Sequence, residues 1–127
     1  MSPTLAAIGI VTADMAESAR FYRLLGVDVP DPDGDHLDVT LPSGVRLMWD
    51  TVELVRSLDP DWVKPVGQGV GLAFECADAA DVDAVFGRVV EAGFRPLKEP
   101  WDAFWGQRYA RVYDPDGNGV DLFAPLG

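Results

Sequence analysis

The chain has 127 residues, of which 48% are hydrophobic and 24% charged, and its formal net charge is −11. A chain of this length forms one domain with its own hydrophobic core, and its hydrophobic content excludes a disordered protein. The acidity argues against nucleic acid and anionic membranes as partners, because both attract an excess of Lys and Arg. One Cys and one His exclude an internal disulfide and a zinc site of Cys and His ligands. No basic leader and no membrane-length apolar run is present, so we expect a cytoplasmic protein.

Each half of the sequence begins with an apolar, strand-like run followed by a helical pattern. The first run covers 8–13 and the second covers 72–77. An Asp directly after each run is expected to cap the helix, and a Gly after each helical pattern is expected to end it. These capping and terminating residues are Asp14 and Gly26 in the first half, and Asp78 and Gly93 in the second.

Both halves continue with strands separated by turns. The predicted strands are 36–41 and 45–50 in the first half, and 95–99, 107–113 and 120–124 in the second. A short helix over 51–58 and a connector over 59–69 lead from one half to the other. The pattern predicts an α+β protein of two tandem βαβββ modules. The module bounds are about 5–58 and about 70–125, within a single domain over 1–127.

The segments 18–26 and 114–123 carry the two most specific motifs. The first reads SARFYRLLG, and the second reads DPDGN followed after one residue by VDLF. The first is similar to the SxxFYxxxLG helix of the vicinal oxygen chelate superfamily, with one residue fewer before the glycine. The second resembles that family's DPDGN hairpin. The family contains glyoxalases, bleomycin resistance proteins and extradiol dioxygenases. The resemblance covers nearly the whole chain and implies a curved mixed sheet around a cavity, helices outside it, and a homodimer.

The resemblance also implies four metal-binding positions, one on the first and one on the last strand of each module. Carried over one by one, these positions are Ala7, Arg46, Gly71 and Asp121. Only Asp121 could ligate a metal through its side chain, and Arg46 brings a positive charge to the place of the cation. We therefore expect no divalent metal and no other cofactor. Arg46 and Asp121 either form an ion pair with each other or each have a separate partner.

Strand alternation predicts which side chains face the cavity. If Asp121 faces inward, so do Met48 and Phe123, whereas Trp49 and Cys76 face the helices. The segment 100–106, PWDAFWG, concentrates aromatic residues before a strand that carries arginines. It is either a lid that stacks on a flat organic ligand, or a plug at the sheet edge or dimer interface. The candidate ligand-binding residues are Arg46, Met48, Trp101, Phe104, Trp105, Arg108, Tyr109, Asp121 and Phe123.

Glu75 and His36 are the two further residues whose side chains could take part in acid–base chemistry. Glu75 is either a general base in an apolar pocket or the partner of an arginine. His36 lies beside a turn-rich segment and is interpreted as a surface residue. The sequence favours a metal-free protein of the bleomycin-resistance type that encloses a small aromatic or apolar molecule for sequestration or carriage. The alternatives are an enzyme of the same superfamily acting on a small carbonyl or aromatic substrate, and a regulatory domain without a cavity.

Overall fold

The computed structural model describes residues 2–127, which form two compact units that meet in the sequence between Lys64 and Pro65. This boundary falls inside the predicted connector 59–69. Each unit combines a mixed sheet with helices, which confirms the α+β class. Among residues 2–127, no helix is both long enough and apolar enough to cross a bilayer.

The first unit contains a three-stranded sheet and two helices. Its elements are β1 (Ala7–Thr12), α1 (Met15–Leu24), β2 (His36–Thr40), β3 (Arg46–Thr51) and α2 (Val52–Leu58). The strand order is β1-β3-β2, with β1 parallel and β2 antiparallel to the central strand. Trp49 on β3 is fully buried and lies 5.4 Å from the ring of Tyr22 on α1, so the predicted helix-facing side of β3 is confirmed.

Helix α1 begins at the predicted cap, Asp14, but Glu17 does not complete a capping box with it. The Asp14 carboxylate accepts a hydrogen bond from the Glu17 backbone N–H at 3.1 Å. The Glu17 side chain does not return the bond, since it pairs with Arg20 at 2.9 Å. The Asp14 N–H instead donates to the Thr12 hydroxyl at 3.3 Å. Gly26 takes a φ of 90° directly after the helix, as a terminating glycine requires.

The first unit has one strand fewer than the predicted βαβββ pattern. The segment 25–35 forms no strand, although Val27 and Val29 bury their side chains. Pro30 and Pro32 lie in this segment and have no backbone N–H to donate to a neighbouring strand. The apolar side chains therefore cover the core without adding a strand to the sheet.

The second unit contains all of the predicted βαβββ elements. They are β4 (Leu72–Glu75), α3 (Ala79–Glu91), β5 (Pro96–Ala103), β6 (Gln107–Tyr113) and β7 (Gly119–Pro125). The strand order is β4-β7-β6-β5, with β4 parallel to β7 and the other pairs antiparallel. Helix α3 packs on one face of this sheet through Val82, Val85 and Val89, which are buried.

Strand β5 is longer than the predicted strand 95–99, so the aromatic segment 100–106 is not the loop that these strand bounds implied. Trp101 pairs with Tyr109 and Ala103 pairs with Gln107, so the ladder continues to the end of the hairpin. Only the turn between β5 and β6 remains outside the ladder, and Gly106 has a φ of 88° there. The aromatic segment is therefore half strand and half tight turn.

The DPDGN turn before β7 is closed around one buried carboxylate. Asp114 is 4% exposed, and its Oδ1 accepts from the backbone N–H groups of Asp116 at 2.9 Å and Asn118 at 2.8 Å. Its Oδ2 accepts from the Asn118 side-chain amide at 2.9 Å. Gly117 supplies the positive φ, 85°, that the turn requires. The side chain of Asp114 thus satisfies the turn's own backbone and sets the start of β7.

His36 in the first unit lies between two carboxylates. Its Nδ1 is 2.5 Å from Asp50 Oδ1, and its Nε2 is 2.8 Å from Asp38 Oδ2. These hydrogen bonds, with that to Asp50 the stronger, raise the pKa of His36 above its usual value. The imidazolium form donates to both carboxylates at once, so the charged form is favoured in the folded chain.

Replacing His36 with Gln is expected to destabilise the protein at acidic but not at alkaline pH. A histidine pKa raised by folding stabilises the fold fully below the unfolded value, and this stabilisation is lost as the pH rises through the folded value. Because the ring is exposed, the effect is about 0.5 kcal/mol near pH 5.5 and about zero near pH 9. Urea unfolding of both proteins at the two pH values measures it, and a pH-independent difference would contradict the assignment.

Candidate functional site

The sheet of the second unit has two chemically different faces. Alternate residues of β6 and β7, including Ala110, Val112, Val120 and Leu122, are buried on the α3 side. The side chains between them form the opposite face, which we call the open face. It carries two cross-strand rows, defined by the ladder registers as Ala73, Asp121, Arg111 and Lys98, and Glu75, Phe123, Tyr109 and Trp101.

Asp121 is the centre of a hydrogen-bonded triad on the open face. The Tyr109 hydroxyl donates to its Oδ2 at 2.7 Å, and Arg111 Nε donates to its Oδ1 at 2.9 Å. Burial, helped by the Asp121 carboxylate, raises the pKa of Tyr109 to about 12. Tyr109 therefore stays protonated at neutral pH and acts as a hydrogen-bond donor. Both oxygens of Asp121 are already engaged inside its own unit.

Four rings beside this triad form what we call the aromatic wall: Trp101, Trp105, Tyr109 and Phe123. Tyr109 lies 5.4 Å from Trp101, 5.3 Å from Trp105 and 6.3 Å from Phe123, measured between ring centroids. The first two contacts are edge-to-face and the third is stacked, which are the arrangements that aromatic pairs prefer. Trp105 is held further by its indole N–H, which donates to Gln107 Oε1 at 2.7 Å.

Phe104 stands outside the aromatic wall at the tip of the β5–β6 turn. Its side chain is 97% exposed, and its ring contacts only that of Trp105 among the described aromatic residues, at 5.0 Å. Trp105 is 48% exposed. The wall is thus open to solvent at its Trp105 end.

Arg108 lies on the opposite face from Tyr109, because neighbouring residues of a strand point to opposite sides. Its guanidinium binds Asp83 of α3 at 2.9 and 3.1 Å and Asp102 of β5 at 3.0 Å. The structure therefore uses Arg108 to attach the helix to the sheet. Arg111 is the arginine of the open face, and strand parity with Tyr109 could have identified it from the sequence.

Glu75 is the last residue of strand β4 and Cys76 follows it, and the two differ in their surroundings. Glu75 is exposed at the edge of the sheet, opposite Phe123, so the apolar enclosure expected of a buried general base is absent around it. Cys76 is partly buried, and its N–H donates to the carbonyl of Phe123 at 2.7 Å. Burial raises the pKa of the Cys76 thiol, which agrees with its interpretation as an unreactive packing residue.

The ladder registers refine the comparison of the two units. Asp121 lies opposite Ala73, and Met48 lies opposite Gly9. Ala73 and Gly9 each stand five residues before the Asp that caps the next helix. The counterpart of Asp121 in the first unit is therefore Met48, whereas Arg46 lies one pleat earlier on the same face of β3. Met48 is partly buried and Arg46 is exposed. A pair between Arg46 and Asp121 stays a prediction.

The side chains at the four family positions do not form a ligand set for a divalent metal. Ala7 and Gly71 have no side-chain donor atoms, and neither Arg46 nor the thioether of Met48 suits a hard cation. Asp121 has suitable oxygens, but both accept hydrogen bonds. Within residues 2–127, no group of three or more His, Cys, Asp and Glu side chains is arranged to hold a metal ion.

Comparisons with known proteins give one consistent family. The sequence profile of the Glyoxalase/Bleomycin resistance protein/Dioxygenase superfamily matches residues 4–122. An uncharacterized protein of Mycolicibacterium smegmatis is 32% identical over 115 residues, which cover 91% of this chain and 88% of that protein.

Solved structures agree with this match. A glyoxalase/bleomycin resistance protein/dioxygenase from Nocardioides superposes with a TM-score of 0.76 at 27% identity, covering 99% of this chain and 85% of its own. A family enzyme from Burkholderia phytofirmans gives a TM-score of 0.85 at 17% identity, with 98% and 100% of the two chains covered. The second likeness concerns the fold alone.

Proposed function

Since the chain belongs to the glyoxalase/bleomycin resistance protein/dioxygenase superfamily, we propose that it binds a small aromatic or apolar molecule without a metal ion. The observation that carries this proposal is the aromatic wall beside the Asp121 triad. Four rings, with neighbouring centroids at most 6.3 Å apart, offer a contiguous apolar surface, and Trp101 and Trp105 belong to the outer end of the β5–β6 hairpin. Such surfaces bind planar molecules by stacking and by the release of water.

The chemistry of the open face supports binding rather than turnover. Tyr109 holds its proton firmly, and the carboxylate of Asp121 is occupied by two donors. Neither group is prepared to remove a proton from a bound molecule. The function that fits these groups is sequestration or carriage of the ligand.

A metal-independent enzyme of the lyase or isomerase type is the second candidate. Glu75 and Tyr109 stand in the same cross-strand row, with Phe123 between them. A carboxylate and a phenol on opposite sides of a bound carbonyl compound could act as base and acid. Loss of a screened ligand with time, measured by chromatography, would favour this candidate over simple binding.

The proposal is tested by a tryptophan-fluorescence screen of aromatic metabolites and natural-product antibiotics against chelator-treated protein. We expect saturable quenching by at least one compound, and weaker binding of it by the Trp105→Ala variant. Unchanged binding by Trp105→Ala would show that the β5–β6 turn does not contact the ligand. Elemental analysis of the untreated protein separates the metal-free account from a metalloenzyme, since a stoichiometric divalent ion contradicts the former.

We also propose that the protein is a cytoplasmic homodimer with no nucleic acid or membrane partner. The net charge of −11 supports the exclusion of polyanionic partners, and a single cysteine suits a reducing compartment. The exposed Phe104 ring supports an interface near the β5–β6 turn. Light scattering of the eluted protein gives the oligomeric state directly.

A further inference from the structure

We propose that the ligand of the open face is an aromatic acid, whose ring stacks on the aromatic wall and whose carboxylate binds Arg111 and Lys98. This inference rests on the proposed function, because it assumes that the wall binds a planar molecule. To the proposed function, this inference adds that the ligand is an anion and that Arg111 and Lys98 recognise its charge. Four features support it: the position of the two cations, the free donors of Arg111, the distance of the cations from the wall, and the placement of the competing carboxylates.

Lys98 and Arg111 are direct cross-strand partners on the open face. Like charges placed opposite each other destabilise a sheet. Two cations opposite each other are also unexpected in this acidic chain, which has only 10 Lys and Arg residues against 21 Asp and Glu. Two of these scarce cations thus form one cross-strand pair beside the aromatic wall. Because Asp121 pairs with Arg111, these three groups leave one net positive charge there for an anionic ligand.

Arg111 retains hydrogen-bond donors after its contact with Asp121. The hydrogen bond to Asp121 comes from Nε, and the two terminal nitrogens have no hydrogen-bond partner within residues 2–127. The side chain is 40% exposed, so these nitrogens are within reach of a ligand. Asp121, itself held by Tyr109, fixes the orientation of the guanidinium. A fixed guanidinium edge matches a carboxylate in geometry and charge.

Lys98 places the second charge at the border of the aromatic wall. Its Nζ lies 4.1 Å from the centroid of the Trp101 ring, in a cation–π contact. Arg111 is two residues from Tyr109 on β6, so their Cα atoms lie about 7 Å apart on the same face. Neighbouring open-face positions of β6 thus carry a ring of the wall and a cation, which suits a ligand with an aromatic ring and a carboxylate.

The carboxylates of the open face lie in less favourable places for a cationic ligand. Asp121 is neutralised by Arg111 at 2.9 Å. Glu75 is on β4, three strand spacings from Lys98 on β5, or about 14 Å. The end of the wall that Trp101 and Tyr109 form is therefore closer to the cations than to the exposed carboxylate.

The test compares three probes of the same shape: 2-naphthoate, the neutral 2-naphthamide and the cationic 2-naphthylmethylammonium. Isothermal titration of the wild type is expected to show at least about tenfold tighter binding of the acid than of the amide. Arg111→Gln and Lys98→Gln should each remove most of this preference, because each weakens binding of the acid more than binding of the amide. Arg88→Gln on α3, which packs on the other face, makes the same charge change and should retain the preference.

The outcomes separate this inference from the proposed function. Equal affinity for the acid and the amide, or a preference for the ammonium probe, overturns the aromatic-acid assignment and leaves ligand binding intact. Failure of all three probes to bind overturns both. Lys98 is exposed, so Lys98→Gln keeps the test valid if Arg111→Gln fails to fold.

Discussion

Replacing Asp114 with Ala is expected to lower the free energy of unfolding by about 3 kcal/mol. The carboxylate is 4% exposed and accepts three hydrogen bonds, two of them from backbone N–H groups of its own turn. The variant leaves these donors without their acceptor inside a tight turn. Urea unfolding followed by circular dichroism measures the difference.

Asp31→Ala is the matched control for this prediction. The sequence DPDG occurs at 31–34 as well as at 114–117. The Asp31 side chain is fully exposed and only pairs with Arg23 at 3.1 Å. Its removal is expected to cost less than about 1 kcal/mol. Equal destabilisation by the two variants would show that the buried hydrogen bonds of Asp114 are not the cause.

Replacing Trp101 with Ala is expected to weaken the binding of 2-naphthamide about tenfold or more. Trp101 contacts Tyr109 at 5.4 Å and Trp105 at 6.1 Å, so its removal takes away one ring and the support of two others. The neutral probe reports on stacking alone, without the cations. Isothermal titration is the appropriate measurement, because the variant also changes the intrinsic fluorescence.

Trp62→Ala is the control for the loss of a tryptophan as such. Trp62 lies in the first unit, where the guanidinium of Arg56 stands 5.7 Å from its ring. We expect its variant to bind 2-naphthamide as the wild type does. If Trp62→Ala weakens binding as strongly as Trp101→Ala, the ligand does not lie on the aromatic wall.

The sequence was sufficient for the elements whose signals are local. Asp78 caps α3 as predicted, accepting from the Asp81 N–H at 2.8 Å, and Asp81 returns a bond to the Ala77 N–H at 2.9 Å. The alternation of β3 correctly placed Trp49 against helix α1. Caps and alternation are decided by neighbouring residues, which explains why these predictions are confirmed.

Features that depend on pairing between strands could not be predicted from the sequence. The ladder shifts between Lys98 and Trp101, so residues three apart on β5 share the open face. No local sequence signal marks this bulge. The pairing of Lys98 with Arg111, which depends on it, was therefore not predicted either. Likewise, nothing in the sequence of β3 distinguishes Met48 from Arg46 as the counterpart of Asp121, because both point to the same face.

The two DPDG segments show how a single neighbouring residue changes a turn. Their four letters are identical, yet one leading Asp is buried and the other is exposed. The difference comes from the residue after the glycine. In the second segment this residue is Asn118, whose side-chain amide and backbone N–H close the turn. In the first segment it is Asp35, which instead accepts a hydrogen bond from the Thr51 hydroxyl at 3.0 Å.

The central claim is that the protein binds an aromatic ligand without a metal ion. It is tested most directly by titrating 2-naphthoate into chelator-treated, dialysed protein, and again after adding Mg²⁺, Mn²⁺ or Zn²⁺. Our account predicts saturable binding before any metal is added and the same dissociation constant afterwards. Binding that develops only after a divalent ion is restored would contradict it.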